Sequence, residues 1–193
     1  MKKIAIFASG SGSNMQKIAE YLRENPQAGV QIACVISDQP NAYVLERAKN
    51  FGIPSHYLTR EELGNPTLLI TMLQKYGVDA IVLAGYLRLI PEFLLDAYPQ
   101  KIVNIHPALL PKYGGKGMHG MNVHRAVKAA GETTSGITIH IIDREYDRGT
   151  MLFQATTEID PTTDTAEEIQ RKVMCLEHRH FAPVIVEWIR GLG

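Results

Sequence analysis

Short, almost wholly apolar runs alternate with amphipathic stretches along the first half of the chain. Residues 4–8 form the first such run, the pattern of a strand covered on both faces of a parallel sheet. A turn of small residues, Ser9-Gly10-Ser11-Gly12-Ser13-Asn14, leads into a helical stretch in which Ile18, Ala19 and Leu22 share one face, ending near Asn25-Pro26. Residues 31–37 read as a second strand. Val44, Leu45 and Ala48 mark a second helix, stopped by Gly52, and residues 53–58 form a third, weaker strand. Asn65 as N-cap with Pro66 at the first helical position opens a helix to about residue 76. Residues 80–84 and 101–106 are strands four and five. Alternation of this kind with short connections predicts an α/β fold, a doubly wound and mainly parallel sheet with helices on both faces.

Beyond residue 106 the pattern changes. Residues 107–120 hold two prolines and four glycines and form a long loop, which in a compact domain is usually functional. Residues 122–130 are a short helix. Residues 136–142 and 150–157 are two strands joined by a polar turn, predicting an antiparallel edge on the parallel sheet. The last helix starts near Asp164-Thr165, with Thr165 and Glu168 at capping-box spacing; Ile169, Val173, Leu176, Val184 and Trp188 are its expected core face, and Pro183 its expected kink.

Composition narrows the class without choosing a chemistry. In 193 residues, 45% are hydrophobic and 21% charged, an ordinary globular balance that excludes disorder and fibrous folds. One domain spanning 1–193 is the expectation at this length. Twenty basic side chains against twenty acidic give no net field toward nucleic acid or anionic lipid. Cys34 and Cys175 lie far apart in apolar stretches and read as small buried hydrophobes. No stretch approaches the ~20 apolar residues of a membrane span, and the first apolar run is too short for a signal peptide, so a cytoplasmic location is expected.

Three features carry candidate chemistry. The first is the turn at 9–14: glycines let backbone approach a phosphate, and the N–H groups of the following helix point at it. Gly10 and Gly12 fit a dinucleotide fingerprint but Met15 breaks it, and Asp38 is the nearest acid to a ribose-binding position. The turn therefore reads as a phosphomonoester site or as a tight packing turn. The second is the strand Lys101-Ile102-Val103-Asn104-Ile105-His106, whose alternation puts Asn104 and His106 on one face at the carboxyl edge of the sheet. They are either working groups or partners of nearby loop backbone. The third is the acidic turn with Asp143, Glu145 and Asp147, any of which is either a carboxylate for His106 or a solvated turn residue. His56, His119, His124, His140, His178 and His180 are weaker candidates; no spacing provides a third metal ligand, so no metal is expected.

Together these segments resemble the folate-dependent glycinamide ribonucleotide formyltransferases. The resemblance runs through Ile4-Ala5-Ile6-Phe7-Ala8-Ser9-Gly10-Ser11-Gly12-Ser13-Asn14, Val82-Leu83-Ala84-Gly85-Tyr86-Leu87-Arg88 and Asn104-Ile105-His106-Pro107-Ala108-Leu109-Leu110-Pro111-Lys112-Tyr113. It continues in Gly136-Ile137-Thr138-Ile139-His140, in Asp147, and in residues 170–178. It implies a Rossmann-like formyltransferase fold, with residues 1–106 as the phosphate-binding half and 107–193 completing the folate site. By the same resemblance Gly12, Ser13 and Asn14 hold the substrate phosphate, and Glu177 lies near the glycinamide end. Arg60, Leu87, Arg88, Leu89, Ile90 and Asn104 meet the folate, and Asn104, His106 and Asp147 are the catalytic trio. A cis bond at Leu110-Pro111 is also implied. The co-substrate would be 10-formyltetrahydrofolate, with small-molecule partners alone and a monomeric or homodimeric state. After Tyr113 the chain departs from the family pattern: Gly114-Gly115-Lys116-Gly117-Met118-His119-Gly120 gives His119 no firm counterpart. Competing readings are a formyltetrahydrofolate hydrolase, for whose extra N-terminal domain the chain has no room, and a methionyl-tRNA formyltransferase, for which a basic face and a C-terminal domain are missing. A non-catalytic nucleotide-binding module would leave the trio without purpose.

Overall fold

The computed structural model describes residues 1–144 and 147–193. Seven strands form one sheet: β1 (Lys2–Phe7), β2 (Val30–Ser37), β3 (Ser55–Tyr57), β4 (Ala80–Leu83), β5 (Ile102–His106), β6 (Thr134–Ile141) and β7 (Met151–Glu158). Their order is β3-β2-β1-β4-β5-β6-β7. The first five run parallel, and β6 and β7 are antiparallel additions at one edge. The chain winds outward from β1 to β3, then returns to β4 on the other side of β1. That reversal makes the carboxyl ends of β1 and β4 the topological switch point, where neighbouring connections diverge and leave a crevice.

Helices α1 (Ser13–Glu24), α2 (Tyr43–Asn50), α3 (Arg60–Leu63), α4 (Pro66–Lys75), α5 (Glu92–Ala97), α6 (Met121–Ala129) and α7 (Ala166–Gly191) cover both faces. Strand alternation divides the core accordingly. Ile4, Ile6, Val82, Val103 and Ile105 point into the layer containing residues of α1, α2, α6 and α7, whereas Ala5, Phe7, Ile81, Leu83 and Ile102 point into the layer under α4 and α5. The doubly wound sheet and its antiparallel edge are thus as the periodicity predicts.

Three expectations need correction. The sequence pattern shows neither α3 nor α5, which are four and six residues long and too short to establish a period; yet Thr59 and Glu62 form a full capping box at the start of α3. On α7 the buried row is Ile169, Val173, Phe181, Ile185 and Ile189, with Val184 and Trp188 only partly buried. A row stepping by four residues drifts around the helix, so after Pro183 the most buried positions are Ile185 and Ile189, and α7 runs on through Pro183 as one helix. Finally, Cys34 is buried but Cys175 is exposed; burial pushes the Cys34 thiol up to about 12.

Candidate active site

The turn after β1 is built for close approach. Gly12 adopts φ +76, and a Cβ there would sit 2.5 Å from Val44 Cγ2, so only glycine lets α2 close against the turn. The Val44 N–H donates to the Gly10 carbonyl (3.1 Å), and Arg47 Nε donates to the Ser11 carbonyl (2.7 Å). Gly12 caps α1 with no side-chain hydrogen bond, which leaves the first N–H groups of that helix for a ligand. Ser13 Oγ shares a hydrogen bond with His178 Nε2 (3.2 Å), and Asn14 Nδ2 donates to Glu177 Oε2 (3.0 Å). The turn is thereby tied to α7. Glu177 fills the gap in the buried four-step row between Val173 and Phe181, which is why an acid from a core-facing position reaches this site. Burial pushes its carboxyl up, against the lowering effect of Asn14. Burial, with Lys17 and Arg47 nearby, holds His178 below the ordinary imidazole range.

The end of β5 supplies the second group. Asn104 is half-buried and His106 is buried, 4% exposed. His106 Nε2 donates to the Tyr113 carbonyl at 2.7 Å, which assigns a proton to that nitrogen and leaves Nδ1 facing Asp147 Oδ2 at 3.8 Å. The latter is an electrostatic contact rather than a hydrogen bond. Asp147 Oδ2 also accepts from the Gly115 N–H (2.8 Å), pinning the glycine-rich loop to the carboxylate. Asp147 and Tyr113 both adopt left-handed backbone, φ 52 and 57. Gly114 packs beneath, where a Cβ would lie 3.1 Å from Asp147 Cβ. The peptide bond Leu110-Pro111 is cis.

A fourth side chain joins these three. The β5–β6 register sets Asn104 opposite His140, so both point to one face. Asn104 Nδ2 donates to His140 Nε2 (3.2 Å), which lies 3.6 Å from Asp147 Oδ1. Burial pulls His140 below the ordinary imidazole range, partly countered by Asp147, so it accepts from Asn104 as a neutral ring. Sequence reading ranks His140 low because its neighbour across the sheet is invisible without the register. Had β5 and β6 been paired in advance, the shared parity of Asn104, His106, Thr138 and His140 would have found it.

The turn at 10–14, Asn104, His106, Asp147 and Glu177 line one cavity of about 650 Å³, with His140 behind Asn104 and off its wall. Its wall includes the turn at Gly10 to Asn14, the segment from Leu87 to Ile90, and the loop from Gly115 to Gly120 with His119. Such a volume fits a small-molecule site lined by apolar surface and a few placed polar groups.

The formyl transferase family model matches residues 2–185. The chain belongs to the formyl transferase family. It is 39% identical to phosphoribosylglycinamide formyltransferase of Bacillus subtilis, covering 100% of this chain and 97% of that protein. It is 40% identical to the chloroplastic phosphoribosylglycinamide formyltransferase of Arabidopsis thaliana, over 95% of this chain. The chain spans only 64% of that relative and 60% of the one from Vigna unguiculata. The structure superposes on glycinamide ribonucleotide transformylase 1 from Symbiobacterium toebii with a TM-score of 0.90 at 34% identity, covering 99% of this chain and 89% of that one.

In this member of the family the residues expected from sequence gather unevenly. Gly12, Ser13, Asn14, Leu87, Arg88, Leu89, Ile90, Asn104, His106, Asp147 and Glu177 all line the cavity. Arg60 does not: it opens α3 with an exposed side chain and is absent from the cavity wall. Asp143 lines the cavity too, but it is Asp147 that reaches both histidines. Glu145 lies outside the described residues. Among the described residues no group of three His, Cys, Asp or Glu side chains is placed to hold a metal ion, and no helix is long and apolar enough to cross a membrane.

Proposed function

We propose that this protein transfers the formyl group of 10-formyltetrahydrofolate to the amine of phosphoribosylglycinamide, giving the formylated glycinamide and tetrahydrofolate. One observation carries the reading. A single cavity gathers a helix N-terminus open to a phosphate, an apolar segment at 87–90 suited to a pterin, and the Asn104–His106–Asp147 group.

In the reaction the acceptor amine attacks the formyl carbon and the carbonyl oxygen takes up negative charge. The bond from that carbon to folate N10 then breaks; N10 leaves with one proton and the attacking nitrogen loses one, so protons balance. Asn104 and a protonated His106 would stabilise the oxyanion, a role in which one donor contributes about 10²–10³ in rate. The Tyr113 carbonyl occupies Nε2–H, so Nδ1 is the nitrogen that would gain the proton and offer it to the oxyanion. Asp147, 3.8 Å away, would hold the imidazolium charge and accept the amine proton through water. Neither cysteine enters: Cys34 is buried in the sheet core and Cys175 is exposed on α7, away from the cavity wall.

The test is acceptor dependence. Purified protein given 10-formyltetrahydrofolate should release tetrahydrofolate only when phosphoribosylglycinamide is present, and hardly at all with the dephosphorylated riboside. Formate release at the same rate without acceptor would make it a hydrolase instead.

A further inference from the structure

Asp38 is a charged residue buried outside the cavity wall, at the first position after β2. Its side chain is 2% exposed, yet it receives a hydrogen bond from Arg88 Nε at 2.8 Å, and Arg88 is a cavity-wall residue with a 36% exposed side chain. Gln39 Nε2 donates to the same oxygen, Oδ2, at 3.2 Å. Burial pushes the Asp38 carboxyl up, but the polar groups around it, Ser9, Gln39 and Arg88, outweigh it and hold the group below the usual carboxylate range. Asp38 therefore keeps its charge. A buried carboxylate without a counter-charge is strongly disfavoured, so the position is committed to its partner.

The segment that Asp38 grips has little else to order it. After β4 the chain turns at Gly85, φ 75, and Leu87 and Leu89 are 57% and 61% exposed; only Ile90 is buried. Just before the segment, Tyr86 packs its ring edge-on against Phe7, and the remaining ties are polar. The Ser9 N–H donates to the Gly85 carbonyl (3.0 Å), and the Leu87 N–H donates to Ser9 Oγ (3.0 Å). Leu87 is thus fastened to the end of β1 through Ser9, and Arg88 to the end of β2 through Asp38. Among the described residues Arg88 makes no other side-chain hydrogen bond or ion pair, so both terminal nitrogens of its fork are available to a ligand.

We propose that Asp38 is a positioning residue for folate: by holding Arg88 through Nε it fixes the segment 87–90 and presents the open end of the guanidinium to a carboxylate of the bound folate. A pre-ordered fork loses less side-chain entropy on binding, and the gain appears as affinity rather than as rate. The inference rests on the formyl-folate reading above. Asp38 touches neither ligand nor reacting atoms; it acts through Arg88.

Calorimetric titration with tetrahydrofolate, and separately with phosphoribosylglycinamide, tests this on the wild type, Asp38→Ala, Asp38→Asn, Arg88→Gln and both double variants. Asp38→Ala should weaken tetrahydrofolate about tenfold, and Asp38→Asn, which keeps an acceptor for Nε, only about threefold. Neither should change phosphoribosylglycinamide affinity by more than about twofold, and kcat should hold at saturating folate. In the Arg88→Gln background the Asp38 substitutions should add less than about twofold, because the coupling has gone. Losses that add in full, or that fall equally on both ligands, overturn the proposal. Should Asp38→Ala fail to fold, Asp38→Asn in the two backgrounds makes the same comparison. Wild-type protein that folds but binds no tetrahydrofolate overturns the functional reading and this inference together, whereas binding without coupling overturns the inference alone.

Discussion

His106 is held from two sides by residues whose backbone is left-handed. Tyr113 offers its carbonyl to Nε2 and Asp147 its carboxylate to Nδ1, and each adopts a φ that non-glycine residues seldom take. Such conformations cost about 1–3 kcal/mol each and persist where the surroundings over-determine them. Strand alternation makes Asn104 and His106 legible as neighbours from sequence alone. Tyr113 is not legible in the same way, because its contribution is a backbone carbonyl that no side-chain pattern announces. Nor can the acidic turn be resolved by composition, since Asp143 and Asp147 are chemically identical. The geometry separates them. Asp147→Asn keeps the size, and tolerates left-handed backbone, but removes the charge; kcat should fall by about 10²–10⁴. Asp143→Asn should stay within about threefold. Steady-state rates of both variants decide it, and the reverse ranking would move the carboxylate role to Asp143. At the other part of the site, Asn14→Leu fills the turn proposed for the phosphate and severs the bond to Glu177. It should raise the KM for phosphoribosylglycinamide about tenfold or more while leaving folate affinity nearly unchanged; equal losses would mean a misfolded turn.

Long periodic elements were readable and short or drifting ones were not. The N-cap Asn65, accepting from the Leu68 N–H, and the capping box of Thr165 with Glu168 are local signals and appear as expected. The rotation of the buried row along α7 depends on what the helix packs against, so sequence spacing picks Val184 and Trp188, which pack against the core partly buried, and misses the fully buried Phe181, Ile185 and Ile189. That rotation matters for function, because it delivers Glu177 to the α1 turn. The loop 114–120 presents a different case. Four glycines in seven positions make it entropically expensive to order, and its described tie to the acidic turn is the Gly115 N–H on Asp147. Hydrogen exchange of these amides should be fast in the free protein and slow markedly once folate and substrate bind; slow, ligand-independent exchange would show a fixed wall instead of a closing one.

At the scale of the whole molecule, the sheet order follows from βα alternation, and the position of the cavity follows from the sheet order. Reversal of winding beside β1 puts the glycine turn, the segment 87–90 and the end of β5 after successive strands β1, β4 and β5. Three separately weak motifs thus become one site. The same packing makes the fold acid-sensitive. His124 on α6 is buried with Nδ1 unpaired, and burial together with the nearby His106 holds it at about 4 against an ordinary 6.5. The unfolded chain therefore takes up this proton before the folded one does, so the contribution to stability is present above about 6.5 and is lost as pH falls toward about 4. Melting temperature should drop between about pH 7 and about pH 5, and His124→Gln should flatten that drop; an unchanged slope would place the sensitivity elsewhere.

The central claim is that this cavity passes a formyl group from folate nitrogen to an amine. Single-turnover reaction of 10-formyltetrahydrofolate carrying a carbon-13 formyl group, followed by NMR in the presence of phosphoribosylglycinamide, measures it directly. The account predicts that the label appears in the formyl amide of the ribonucleotide, with negligible formate, and that the transfer slows by about 10²–10⁴ in Asp147→Asn. Label recovered as formate with acceptor present, or transfer undiminished in Asp147→Asn, would contradict it.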